Sequence, residues 1–298
     1  MIAESRAISL SSVERSQLDR KRFAIDVWRE GRIKDALLII DVVLSEKPPP
    51  RVAGECYIAQ AAFRIDDGDL AGSWQSIEKA APLVDLLDTE LRASFYLQRA
   101  RIHKESARYD AALTDYSGAE MYWHECGQTE KAGAAALNLA GCYLAIGDLS
   151  AAHENLDRAF KLFRLTKSFY VPEAHDTRAQ IFLAEGKLEQ AARSIRVALE
   201  IVGDSNEQWR TDFLVTLDKV EACLLTALQV KKLPDCDHLR IGMVRRALRA
   251  SKGSPAGAAL FLGVTRHAIE SLINNHPAEL EPYRMKRRIR YKTIIKRA

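Results

Sequence analysis

Residues 137–163 read LNLAGCYLAIGDLSAAHENLDRAFKLF. Small and apolar side chains recur at helical spacing on both sides of Gly147, with polar residues between them. Such a period on either side of a glycine predicts two helices joined by a left-handed turn, that is, one antiparallel hairpin.

The same arrangement returns along the chain. With Gly31, Gly68, Ala107, Gly147 and Gly186 as turn positions, the spacings are 37, 39, 40 and 39 residues. Five residues after each turn stands a small side chain: Ala36, Ser73, Ala112, Ala152, Ala191. Nine after stands a larger one: Ile40, Ile77, Tyr116, Leu156, Ile195. Twelve after come Val43, Ala80, Ala119, Ala159 and Ala198. Seven before each turn is an alanine: Ala24, Ala61, Ala100, Ala140, Ala179. Small residues let the two helices of a hairpin cross closely, and larger ones fill the space to the next hairpin. An all-α array of stacked hairpins is therefore expected.

Leu139, Ala140, Tyr143, Gly147, Ala152, Leu156 and Ala159 stand at the marked places of a known motif. Over roughly residues 17–203 the chain resembles the tetratricopeptide repeat (TPR) family, whose units are about 34 residues long. The units here are longer, the consensus Trp is missing from most, and the third has Ala107 for Gly. A further helix pair around 209–233 is expected to cap the array or mediate self-association. The resemblance implies a concave surface that binds a peptide or protein. By the family's helix geometry, Trp28, Ile58, Leu97, Arg101, Lys104, Leu137 and Leu144 face that groove. Each apolar one reads equally well as packing between helices. Arg101 and Lys104 share one helical face and are the better ligand candidates.

Charge divides the chain. Residues 238–298 hold fourteen Lys and Arg against three acids, a net of +11, and residues 1–237 carry −7. A basic module on an acidic one points to a polyanion partner for the module alone. Within it, Ser254-Pro255 is a helix start, with Ser as cap and Pro in the first turn. A short helix with Ala258, Ala259 and Leu262 follows. Gly263 breaks it, Val264 plugs the turn, and Thr265 caps a second helix whose inward residues are Ala268 or Ile269, then Leu272 and Ile273. Upstream, Ile241, Val244 and Leu248 line an amphipathic helix that backs the pair.

From Ala247 to Ile273, ALRASKGSPAGAALFLGVTRHAIESLI resembles the Fis-type helix-turn-helix family, with Ser254 where Asn is usual. The resemblance spans about residues 238–276 and implies binding of double-stranded DNA. Thr265, Arg266, His267, Glu270, Ser271 and Asn274 lie opposite the inward residues of the second helix. A recognition helix presents such residues to base edges in the major groove. Arg266 suits guanine O6/N7 and Asn274 a phosphate. Glu270 either accepts from cytosine or repels phosphate, and His267 reads also as a surface histidine. Ser254 and Thr265 sit at helix starts, where N–H groups and hydroxyls hold phosphate. Beyond lies a tail that includes Arg284, Lys286, Arg287, Arg288, Arg290 and Lys292, a source of salt-dependent, sequence-blind affinity.

The resulting expectation is an N-terminal segment (1–16), a TPR-like domain with capping helices (17–233), a helix-turn-helix (238–276) and a basic extension (277–298). A phosphate-binding loop, Gly-x-Ser-x-Gly and His-Glu-x-x-His are missing from the sequence, and no His stands at ligand spacing from a Cys. An enzyme, a metal site and a cofactor are therefore not expected. Five scattered cysteines favour reduced thiols. The opening residues lack a secretory apolar stretch, and no run nears the ~18 residues of a membrane span. A cytoplasmic, nucleoid-associated transcriptional regulator, dimeric so that paired half-sites add specificity, is the expected function. The alternative is a repeat scaffold whose basic end docks an acidic protein or RNA.

Overall fold

The computed structural model describes residues 11–203, 205–227, 237–262 and 264–283, and every element among them is helical. Packing divides them into two compact units, one up to Thr177 and one from Arg178.

The first unit is a series of hairpins. Its helices are α1 (Ser12–Arg29), α2 (Ile33–Ser45), α3 (Pro50–Asp66), α4 (Leu70–Ala80), α5 (Thr89–Glu105), α6 (Tyr109–Glu125), α7 (Thr129–Ile146) and α8 (Leu149–Thr166). Helix α9 (Val171–Ala184) begins in this unit. The pairs α1/α2, α3/α4, α5/α6 and α7/α8 pack together, as do α1 with α3, α3 with α5 and α6 with α7. The first helix starts at Ser12, ahead of the repeat start expected at residue 17, because Ser11 and Glu14 form a reciprocal cap. Ser11 Oγ accepts from the Glu14 N–H at 3.1 Å, and Glu14 accepts from the Ser11 N–H at 2.7 Å.

The turn positions behave as the repeat spacing requires. Gly147 adopts φ +86°, its N–H bonds to the Leu144 carbonyl, and the Asp148 N–H bonds to the Tyr143 carbonyl. Asp148 then caps α8, accepting from the Ala151 N–H at 3.0 Å. Gly68 and Asp69 repeat the device, with the Gly72 N–H donating to Asp69 at 2.8 Å. A glycine thus ends one helix and the following aspartate starts the next. Ala107 is held at φ +55° in the same place, where its Cβ crowds the neighbouring carbonyl. Gly127, at φ +71°, closes α6 into α7 between two repeats.

The small positions are the crossing points. Ala24, Ala36, Ala61, Ala100, Ala112, Ala140 and Ala152 have no exposed surface. Ser73 is as buried, and its hydroxyl donates to the Ala61 carbonyl at 2.9 Å. The larger set, Ile40, Ile77, Tyr116 and Leu156, fills the space between helices. Burying one such side chain stabilises the fold by about 1.5–3 kcal/mol.

The second unit contains α10 (Leu188–Val202), α11 (Glu207–Ala227), α12 (Asp237–Ala250), α13 (Pro255–Leu262), α14 (Arg266–Asn275) and α15 (Pro277–Leu280). The described part of 209–233 belongs to one 21-residue helix, α11, and not to a helix pair of its own. Its partner is α10, across a core of Ile195, Ala198, Val202, Phe213 and Leu217. A separate core joins α12, α13, α14 and α15 through Met243, Val244, Ala247, Leu248, Ala258, Ile269, Ile273 and Leu280. The sign of the charge changes at residue 238, whereas the division by packing lies within α9.

Ala107→Gly tests the turn assignment. Relief of a left-handed alanine, about 1–2 kcal/mol, outweighs the added unfolded-state entropy of glycine. The expected outcome is a net gain of roughly 0.5–1 kcal/mol, read as a higher urea midpoint. Gly147→Ala should move the midpoint the other way.

Candidate interaction surfaces

Three successive hairpins are tied along their first helices. Asp66, at the end of α3, accepts from the Trp28 indole N–H of α1 at 2.9 Å and from the Arg101 guanidinium of α5 at 2.5 Å. Arg101 also donates to Gln98 at 3.0 Å. Trp28 and Arg101, both expected in the groove, therefore share a surface and are already engaged there. Lys104 lies half-buried one turn further along α5 and has no ion-pair partner among the described residues. Of the apolar candidates, Ile58 and Leu137 are buried and pack between helices, while Leu97 and Leu144 are half-buried.

A second polar ladder runs from the middle of α1 to the N-terminal ends of α3 and α5. Lys21 Nζ lies 2.6 Å from Glu55, and Arg51 lies 3.6 Å from Glu55 and 3.3 Å from Asp88. They line an open cleft of about 380 Å³ with Leu18, Leu91 and Ser94. Asp66, Lys21 and Glu55 were not singled out in the sequence. Glu55 and Lys21 have apolar neighbours one helical turn away, Asp66 opens the acidic run before Leu70, and each resembles a solvated face until the partner helix is placed.

The buried thiols are muted. Burial pushes the Cys56 thiol up to about 12 and also raises Cys142, so neither forms thiolate readily. Burial lowers His103 from its ordinary value, aided by Arg108, with Asp115 opposing. Among the described residues no three His, Cys, Asp or Glu side chains gather as metal ligands. No helix among them is long and apolar enough to cross a membrane.

The C-terminal helices are built from their caps. Ser254 accepts from the Gly257 N–H at 3.1 Å and starts α13; Thr265 accepts from the Ala268 N–H at 3.2 Å and starts α14. Leu272 and Ile273 turn inward as expected, and of Ala268 and Ile269 it is Ile269 that is buried. Thr265, Arg266, His267, Ser271 and Asn274 are exposed, and Glu270 is half-buried. Arg266 donates through Nε and NH2 to Glu270 Oε1 at 3.0 and 2.8 Å. Gly263, Arg284, Lys286, Arg287, Arg288, Arg290 and Lys292 lie outside the described residues.

Part of the basic charge is spent internally. Arg245 of α12 pairs with the buried Glu221 of α11, Arg249 pairs with Asp218, and Arg246 donates to the Asp218 carbonyl. Gly242 lets α12 approach, since a Cβ there would lie 3.1 Å from the Glu221 carboxylate. Arg249 also bonds the Tyr283 hydroxyl at 3.2 Å and stacks over its ring. Burial pushes the Glu221 carboxyl up, while Arg245 pulls it down. Sequence spacing gave no sign that α12 offers its arginines to α11.

No family model matches the chain. No curated protein matches it either. Solved structures do. The thermophilic TPR protein TTC0263 of Thermus thermophilus superposes with a TM-score of 0.53 at 18% identity, over 67% of this chain and 98% of that one. The fold is TPR-like. A signal-transduction ATPase with a tetratricopeptide repeat sensor, PH0952 of Pyrococcus horikoshii, gives a TM-score of 0.64 at 14% identity, over 91% of this chain and 44% of that one. BtubC (BKLC) of P. vanneervenii gives 0.52 at 16% identity, over 89% and 93%. These likenesses show the TPR-like helical fold.

Glu221→Ala should leave Arg245 buried without its partner, at about 3–5 kcal/mol. Hydrogen exchange should then report faster amide exchange across α11–α14, with α1–α8 unchanged. Uniform protection in both units would show that the pair contributes nothing.

Proposed function

We propose that the protein is a non-enzymatic interaction scaffold whose TPR-like array takes a peptide or protein on its first-helix surface. The observation that carries this is the line of Trp28, Asp66 and Arg101 across three hairpins, with Lys104 beside it and without an ion-pair partner among the described residues. A laterally tied surface ending in such a cation suits an extended chain with an acidic group. The neighbouring signal-transduction ATPase is described as carrying a repeat sensor, and sensing by docking is the role proposed here. Panning a random peptide library on the full-length chain tests it. Selected peptides should be acidic, and Lys104→Glu should weaken them by at least about tenfold. A library that yields no binder overturns the reading.

One observation favours a finer reading, a transcriptional regulator that binds duplex DNA through α14. Five polar side chains at the Fis-like positions, Thr265, Arg266, His267, Ser271 and Asn274, are exposed above a helical core of their own. The functional division at 17–233, 238–276 and 277–298, the homodimer on paired half-sites and the nucleoid association belong to this proposal. An acidic protein or RNA on the basic end is the competing outcome. The full chain should bind a random-sequence duplex pool with affinity that falls steeply as salt rises. Arg266→Ala should cost about 1–3 kcal/mol on the enriched sequence and little on random duplex. Equal losses on both would make Arg266 a phosphate contact. Absence of duplex binding would sink the regulator and leave the scaffold standing.

A further inference from the structure

We infer that Arg266 and Glu270 act as one guanine-reading unit, with Glu270 the positioning residue that aims the arginine fork and turns unspecific phosphate away. The inference rests on the duplex-binding reading of α14.

The geometry of the pair is side-on. Nε and NH2 of Arg266 both donate to the single oxygen Oε1 of Glu270, at 3.0 and 2.8 Å. A guanidinium carries five N–H donors in a rigid plane. This contact takes the Nε–H and one hydrogen of NH2. The end of the fork, formed by NH1 and the other hydrogen of NH2, stays free. Those two parallel donors match the O6 and N7 acceptors that guanine presents in the major groove. The pair thus uses the edge of the arginine that base reading does not need.

Placement argues against a role in helix stability alone. Arg266 is the first residue of α14, where the helix dipole disfavours a cation, and the first turn holds no acid. An arginine four residues before a glutamate is also the weaker order for such a pair. A sequence tuned only to stabilise α14 would place these two residues the other way round. Both side chains remain accessible, at 60% and 31% of their surface, so the fork can reach a partner without opening the helix.

The carboxylate has a second effect. On random duplex, where the arginine finds no paired acceptors, Glu270 faces phosphate oxygens and repels them. On guanine its charge is matched by the arginine it holds. Discrimination comes from one attractive and one repulsive element in a single pair.

The test compares the full-length chain with E270A and E270Q by selection from a random-sequence duplex pool, followed by affinity on the enriched and the random duplex. Wild type is expected to enrich a guanine that R266A no longer selects. E270A should reduce the preference for that guanine about tenfold while binding random duplex more tightly. E270Q keeps the acceptor oxygen and loses the charge. It should retain most of the guanine preference and still bind random duplex more tightly, a split that loss of helix structure does not produce. Melting curves of the wild type and the three variants check that α14 stays folded. An enriched guanine that survives E270A overturns the pair and leaves the duplex reading intact. Equal weakening on enriched and random duplex in E270A also overturns it. A pool that wild type does not enrich at all overturns the duplex reading together with the pair.

Discussion

The distance between the two helices of each hairpin is the constraint from which the array follows. Ala24 against Ala36 and Ala100 against Ala112 leave no room for a longer side chain on either helix. Where Ser73 replaces the second alanine, its hydroxyl finds the Ala61 carbonyl and the crossing stays tight. With the crossing fixed, the residues nine after each turn have only one place to go, the gap to the following hairpin. Interior packing then tolerates little change in volume. This explains why a chain with only 18% identity to a solved TPR protein repeats its fold.

Polar residues act at a different level. Asp66 joins three hairpins, and the ladder of Lys21, Glu55, Arg51 and Asp88 does the same from mid-α1 to the starts of α3 and α5. In the second unit, Glu221 and Asp218 draw α12 onto α11. The net charge of a segment therefore overstates what it offers a polyanion: three arginines of α12 are occupied by α11. The exposed polar residues of α14, by contrast, make no contact with α11 among the described residues.

The repeat was legible because its signal is redundant. Positive φ at Gly31, Gly68, Gly147 and Gly186 follows from residue type at regular spacing. Even Ala107 was placed correctly by its neighbours, since four agreeing offsets outweigh one atypical residue. Caps were equally readable, as Thr265 and Ser254 act within three residues of themselves. The long-range partners were not. Arg245 looks the same in sequence whether it meets water, phosphate or Glu221, because its partner is 24 residues away. Trp28 and Arg101, expected to face the groove, share Asp66, which no local pattern marks. The α11 helix was read as a pair because helical periodicity fixes a face and leaves length open.

Asp66 has a consequence for observing the molecule. Its carboxylate holds the Trp28 indole N–H, and the ring lies 5.4 Å from Phe63, half-shielded from water. A guest that drew Arg101 away would alter the electric field at that indole directly. Intrinsic fluorescence would then register occupancy of the array without any attached dye, and the chain would carry its own optical gauge.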